Sequence, residues 1–296
     1  MMHFGDRLTH RVKAVSSPTC VGLDPHLHRL PEPLVRGLTP GGDLSLWAGA
    51  VEAFCLGVIR AVSGQVPAVK PQAAFFEQLG SPGVAVLERV CRAAQEAGLL
   101  VILDVKRGDI GSTAEAYARG TLDDDGPMGV DAVTLSPYLG AESLEPFVKR
   151  ADQGKGLFVL VRTSNPGSGA WQGSGEQGIA RGVADWIRTQ NERAGSELGW
   201  GPVGAVVGAT LPDEAGVWRS TMPNSWFLVP GFGAQGATAD DVRQHAGPTN
   251  MGALITSSRG VLFPKSGRAD EDWEQGVNLR CAQLVKDVAG ALPLSG

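Results

Sequence analysis

Short apolar runs alternate with longer amphipathic stretches from one end of the chain to the other. Eight of the apolar runs predict β-strands, at 19–23, 68–70, 99–105, 132–135, 157–161, 204–207, 226–229 and 253–255. Apolar residues recur with helical spacing between them, notably at 46–61, 84–97, 179–194 and 275–288. Strands that alternate with helices in this way predict βαβ units and a parallel sheet.

The number of these units favours a closed barrel. A (β/α)8 barrel usually takes roughly 250 residues with insertions allowed, and no linker divides this chain of 296 residues. We therefore expect a single α/β domain over 1–296, and an open doubly wound sheet of the same elements is the alternative. The glycine-rich stretch 165–178 is long for a βα loop, so it is either a flexible insertion or a mobile lid over a substrate.

Composition narrows the class of function. The chain is 43% hydrophobic and 19% charged, which is typical of a globular protein. Its net charge of −5 and the lack of a basic stripe argue against nucleic-acid binding, so an anionic substrate needs a local positive site. The N-terminus carries no apolar signal segment and no run approaches the length of a membrane span, so neither export nor membrane insertion is expected. Four widely spaced cysteines indicate reduced thiols in a cytoplasmic protein.

Charged residues follow the apolar run at 99–103 directly. Asp104 and Lys106 are two residues apart, so on a strand they project to the same face, and Asp109 follows in the next turn. Burying unpaired charges is expensive, so such residues rarely end a buried strand without a function. The carboxyl end of a strand is where an α/β barrel carries its catalytic groups. This segment predicts an enzyme.

Polar residues gather at other strand ends as well. Asp24 follows the first strand, Lys70 ends the second, Ser164 follows the fifth and Arg259 follows the eighth. In a barrel all these ends meet at one rim, and we expect the side chains to converge there.

The segment after the seventh strand, 231–236, matches GxGxxG. No strand ending in Asp or Glu follows it at the spacing of a dinucleotide site, so a phosphate cradle clamped by Arg259 is the better interpretation. A tight turn beside a surface arginine remains the alternative. His26 and His28 lie in a proline-containing loop and are expected to be solvated, so no metal site is predicted.

Together these motifs resemble a known family. DVKRGDIGST at 104–113, Lys70 on the preceding strand, and PGFGAQG followed by SSRG near the end resemble orotidine 5′-phosphate decarboxylases, in particular the longer bacterial form often called type 2. The resemblance runs over essentially the whole chain, and the DxKxxDIGxT element is highly specific. It implies a (β/α)8 barrel that converts orotidine 5′-phosphate to uridine 5′-phosphate (UMP) in pyrimidine biosynthesis, without cofactor or metal. It also implies a homodimer with active sites at the subunit interface.

The resemblance assigns roles to the charged residues. Lys106 is expected to donate a proton to C6 of the pyrimidine, and Asp104 to lie against the substrate carboxylate. Lys70 is expected to pair with Asp104 and reach the ribose. Asp109 is expected to enter the active site of the neighbouring subunit.

Further residues are expected to bind the substrate. Ile110 and Thr113 accompany Asp109. Asp24 is expected to bind a ribose hydroxyl, and Ser164 the pyrimidine edge. Gln235 and Arg259 are expected to bind the phosphate, with Gly233 beside them.

Two alternatives remain open at this point. Magnesium-dependent hexulose-phosphate synthases and ketogulonate-phosphate decarboxylases share the Asp-x-Lys-x-x-Asp element, but they use a second-strand carboxylate as a metal ligand, where this chain has Lys70. A non-catalytic barrel that binds phosphosugars is the other alternative.

Overall fold

Eight parallel strands form a closed barrel in the computed structural model of this chain. The structure describes residues 2–173, 178–232, 239–247, 249–264 and 272–294. Each strand pairs with the next in chain order, and β8 pairs with β1 to close the ring. The strands are β1 (Thr19–Leu23), β2 (Ala68–Pro71), β3 (Leu100–Arg107), β4 (Ala132–Leu135), β5 (Gly156–Arg162), β6 (Val203–Val207), β7 (Phe227–Pro230) and β8 (Ala253–Ser257). The predicted barrel is confirmed, and the open sheet is excluded.

The helices lie between the strands in sequence. They are α1 (Phe4–Val15), α2 (Glu32–Val35), α3 (Leu44–Val62), α4 (Ala74–Glu77), α5 (Gly80–Glu96), α6 (Gly111–Leu122), α7 (Glu145–Ala151), α8 (Gly169–Gln172), α9 (Ile179–Ala194), α10 (Pro212–Thr221), α11 (Ala239–Arg243), α12 (Arg259–Leu262) and α13 (Trp273–Ala291). All four predicted helices are present, and the prediction for 179–194 matches α9 at both ends. β3 extends two residues beyond its predicted end at 105.

One helix is apolar enough along its whole length to resemble a membrane span. In the described part of the chain this is α3, but 61% of the relevant segment is buried within the fold. It packs against α5 and α13 on the outside of the barrel. Its apolar character is explained by this packing.

Alternation along the strands divides the apolar residues into two cores. Val69 and Val101 point outward into the large core beneath the helices. Ala68 and Leu100, their neighbours in sequence, point inward and fill the barrel together with Phe158. α1 closes the amino-terminal end of the barrel, where the Phe4 ring meets the Phe158 ring edge-on at 5.8 Å.

The same alternation determines which polar residues face the open end of the barrel. Lys70 lies two residues beyond the inward-facing Ala68, and Asp104 lies two residues beyond Ile102. Thr134 lies two residues beyond Ala132 in the same way. A polar layer therefore sits directly on the apolar interior, at the carboxyl ends of the strands.

Candidate active site

A cavity of about 510 Å³ opens at the carboxyl ends of the strands. That volume suits a small ligand of nucleotide size. Its polar side chains come from both halves of the barrel: Asp24, Lys70, Asp104, Lys106, Thr134, Thr163, Ser164, Asn165, Gln172, Thr256, Ser257, Ser258 and Arg259. The expected convergence of Asp24, Lys70, Asp104, Lys106, Ser164 and Arg259 is therefore present.

The carboxylate of Asp104 is the centre of the site. Its Oδ1 accepts hydrogen bonds from Lys106 Nζ at 2.6 Å and from Thr134 Oγ1 at 2.8 Å. Its Oδ2 accepts from Lys70 Nζ at 2.6 Å and from Gln72 Nε2 at 3.1 Å. Four donors fill the acceptor positions of the two oxygens. These five residues are called the Asp104 network below.

Electrostatics keep this network charged. Burial, the strongest single influence on Asp104, opposes ionisation, but Lys70 and Lys106 together outweigh it and hold its pKa well below the usual value. Burial likewise disfavours the ammonium of Lys70, yet Asp104 and Asp24 outweigh it and raise its pKa. Both groups are therefore ionised at neutral pH. Their pairing with each other makes the burial of these charges tolerable.

Lys106 reaches Asp104 through an irregular backbone. Its φ is +44°, in the left-handed region that side chains rarely adopt. The pairing of β3 with β4 shifts register between Leu103 and Arg107, where Lys106 lies. The Lys106 side chain is 46% exposed and lines the cavity, so its ammonium is accessible to a ligand while bound to Asp104. Strained backbone of this kind is concentrated at functional sites.

Asp24 offers an unused acceptor to the cavity. Its Oδ1 is buried and has no hydrogen-bond partner in the described part of the chain. Buried polar atoms are normally paired, so an unpaired one at a cavity wall points to a ligand. The end of β8 lies close to β1 here, since a Cβ at position 22 would lie 2.0 Å from Ser258 Oγ and would force that side chain to move.

Arg259, just beyond the end of β8, brings a positive charge to the cavity wall. Arg259 begins α12, is exposed, and forms no ion pair with any residue that the structure describes. Gly231 and Phe232 line the cavity beside it, whereas Gly233 and Gln235 lie outside the described residues.

The His26 and His28 rings lie 5.7 Å apart. Burial is the main cause that lowers the pKa of His26, and the nearby Arg259 adds to it. No group of three or more metal-ligating side chains occurs within the described ranges.

The first part of the glycine-rich stretch 165–178 is folded onto the barrel. A 3-10 turn (Pro166–Ser168) leads into α8, and the Oε1 of Gln172 accepts a hydrogen bond from the Thr163 amide at 2.8 Å. The Arg162 guanidinium bonds Ser168 and also pairs with Glu214 at 2.9 Å. Residues 174–177 lie outside the described part.

Asp109, Ile110 and Thr113 are not brought into this chain's own cavity. Asp109 is half-buried beyond the end of β3, and its Oδ1 accepts a hydrogen bond from the Ile110 amide at 2.8 Å. Thr113 is exposed on α6. Ile110 is 58% exposed, and Tyr138 in the next strand-to-helix loop is 71% exposed.

Sequence reasoning missed two members of the Asp104 network, Gln72 and Thr134. Both follow an inward-facing residue by two positions, Lys70 in one case and Ala132 in the other. Alternation along β2 and β4 places both on the inward side, but it does not single them out as functional. Neither carries a charge at a strand end, which is the feature that singled out the other residues.

Comparison with known proteins gives a consistent result. The model of the orotidine 5′-phosphate decarboxylase / HUMPS family matches residues 17–269. An orotidine 5′-phosphate decarboxylase from Rhodopirellula baltica is 46% identical, covering 98% of this chain and all of that protein. One from Deinococcus radiodurans is 42% identical, covering 88% of this chain and 90% of that protein. The structure of Leishmania donovani OMP decarboxylase superimposes with a TM-score of 0.77 at 32% identity, covering 99% of this chain and all of that one. The chain belongs to the orotidine 5′-phosphate decarboxylase / HUMPS family.

Proposed function

We propose that this protein is a carboxy-lyase that converts orotidine 5′-phosphate to UMP in pyrimidine biosynthesis, with no cofactor and no metal. The observation that carries the proposal is the buried carboxylate of Asp104, held between the ammonium groups of Lys70 and Lys106 at 2.6 Å each, in the wall of a cavity of nucleotide size. The orotidine 5′-phosphate decarboxylases similar to this chain along almost its full length support it.

The chemistry requires this arrangement. Decarboxylation breaks the bond between C6 and the carboxylate, carbon dioxide leaves, and the electron pair stays on C6. No adjacent group delocalises that charge, so it needs electrostatic stabilisation in place before the reaction. The Lys106 ammonium supplies a positive charge and then its proton, which solvent replaces. Asp104 keeps both lysines charged and in place, and it opposes the substrate carboxylate until that group departs as a neutral molecule.

The rest of the cavity fits the rest of the substrate. The unpaired Oδ1 of Asp24 accepts a hydrogen bond from a ribose hydroxyl. Ser164 binds the pyrimidine edge, and Arg259 binds the phosphate. Gln235 and Gly233 are proposed as further phosphate ligands from the sequence alone. Phosphate binding far from C6 provides energy that aligns the reacting centre.

We further propose that the active enzyme is a homodimer. Asp109 lies outside the cavity of its own chain, so a role in the reaction requires that it reach the site of a second copy, together with Ile110 and Thr113. The exposed side chains of Ile110 and Tyr138 give the surrounding face an apolar character that suits such an interface. Sedimentation analysis should give twice the mass of the chain. A monomer that retains full activity would contradict this part of the proposal.

The magnesium-dependent alternatives are disfavoured by the same geometry. Lys70 and Lys106 occupy both oxygens of Asp104, which a divalent cation would need as ligands. Purified protein treated exhaustively with EDTA should therefore convert orotidine 5′-phosphate at the untreated rate. Loss of activity that magnesium restores would reject the assignment. UMP binding without any turnover would instead support the non-catalytic barrel.

A further inference from the structure

One hydroxyl group compensates for an irregularity in β3. The pairing of β3 with β4 shifts register between Leu103 and Arg107, and Val105 and Lys106 lie in this interval. The amide groups of both residues donate to Thr134 Oγ1, each at 3.0 Å. Because amide groups shielded from water are costly when unpaired, these two hydrogen bonds stabilise the left-handed conformation of Lys106.

The same hydroxyl donates its proton to Asp104 Oδ1 at 2.8 Å. A threonine hydroxyl has one donor and two acceptor positions, so all of its hydrogen-bonding capacity is used. Thr134 is 1% exposed, and its β-branched side chain has little rotational freedom. It thereby joins the carboxylate of Asp104 to the backbone that carries Lys106.

We propose that Thr134 is a positioning residue for the decarboxylation, and this inference rests on the proposed function. It holds the ammonium of Lys106 at a fixed place by fixing both the backbone of Lys106 and the carboxylate to which that ammonium is bound. Its hydroxyl has no capacity left for the substrate, so it contributes to alignment and not to binding. Misplacement of a reacting group by about 1 Å can reduce a rate about 100-fold.

Valine replaces threonine with almost the same shape but removes all three hydrogen bonds. We expect Thr134→Val to lower kcat by about 10- to 100-fold while the KM for orotidine 5′-phosphate and the Kd for UMP change by less than about threefold. Thr134→Ser keeps the hydroxyl and should restore kcat to within about threefold of the wild type. If Thr134→Val does not fold, Thr134→Ala leaves space for a water on the two amides and should show the same separation of kcat from KM.

Thr121→Val is the matched control. Thr121 is also buried, but its hydroxyl bonds only the Tyr117 and Ala118 carbonyls within its own helix, at 2.7 and 3.4 Å. The kcat of Thr121→Val should equal that of the wild type.

A wild-type kcat in Thr134→Val or Thr134→Ala would overturn the inference. A fall in kcat accompanied by an equal weakening of UMP binding would also overturn it. Wild-type protein that releases no carbon dioxide would reject the proposed function and the inference with it. Active wild type with unaffected Thr134 variants would reject the inference alone.

Discussion

Asp104→Asn should destabilise the fold because it leaves the buried ammonium of Lys70 without its hydrogen-bonded counter-charge, with only the charge of Asp24 nearby. Lys70 is 8% exposed, and Asp104 is its hydrogen-bond acceptor. At their separation of 2.6 Å, an effective dielectric constant of about 20 gives an attraction of about 6 kcal/mol. The desolvation of Lys70 offsets part of this, so we expect the free energy of unfolding to fall by about 3–5 kcal/mol, the usual cost of breaking a buried pair from one side.

Lys70→Met should cost less. Asp104 then keeps Lys106, Thr134 and Gln72 as donors, so the loss is that of one charge-assisted hydrogen bond, about 1.5–3 kcal/mol. The double variant leaves no unpaired ammonium at position 70. The loss of unfolding free energy in the Asp104→Asn/Lys70→Met double variant should therefore be smaller, by about 0.5–3 kcal/mol, than the sum of the losses in the two single variants.

Urea unfolding at pH 7, followed by circular dichroism, measures all three variants. The control is Asp152→Asn, since Asp152 is 44% exposed in its ion pair with Arg193 and should lose at most about 1 kcal/mol. If Asp104→Asn is no less stable than this control, or if the two changes simply add, the description of Lys70 as a buried ammonium held by Asp104 is wrong.

Three other predictions follow from the site and its surroundings. Lys106→Ala and Asp109→Ala homodimers should both be nearly inactive, and mixing them should restore one intact site per hybrid dimer; no recovery despite confirmed hybrids would refute the shared site. Arg259→Ala should lower kcat/KM for orotidine 5′-phosphate about 10- to 100-fold, whereas Arg92→Ala on α5 should leave it unchanged. Burial lowers the pKa of His245 from 6.5, so the unfolded state binds the extra proton and stability should fall as the pH drops below that value, by up to about 1.4 kcal/mol per pH unit. His245→Asn should flatten this slope in urea titrations at several pH values.

The fold was readable from the sequence because strand and helix periodicities differ. Strands buried on both faces give short, nearly continuous apolar runs, and all eight predicted runs overlap an observed strand. The ends were less accurate where polar residues continue a strand. β3 is predicted to end at 105, but its pairing resumes at Arg107 opposite Leu135 after the register shift.

The charged part of the site was also accessible, since a buried charge at a strand end is costly and thus conspicuous. Alternation placed Asp104 and Lys106 on one face, and they do meet, but Lys106 does so in a left-handed conformation that alternation does not describe. Thr134 was not found, because a threonine on a strand is unremarkable until the amides it accepts from are known. The cross-subunit role of Asp109 stays a prediction, since it depends on a second copy of the chain.

The rate of carbon dioxide release from orotidine 5′-phosphate by wild-type protein and by Lys106→Ala tests the central claim most directly. Lys149→Ala, at an exposed position on α7, serves as the control. Because the Lys106 ammonium both stabilises the charge and donates the proton, Lys106→Ala should lose at least about 1,000-fold in kcat. The wild type should be active, and Lys149→Ala should have the same kcat as the wild type. Lys106→Ala with a kcat within about tenfold of the wild type would contradict the account.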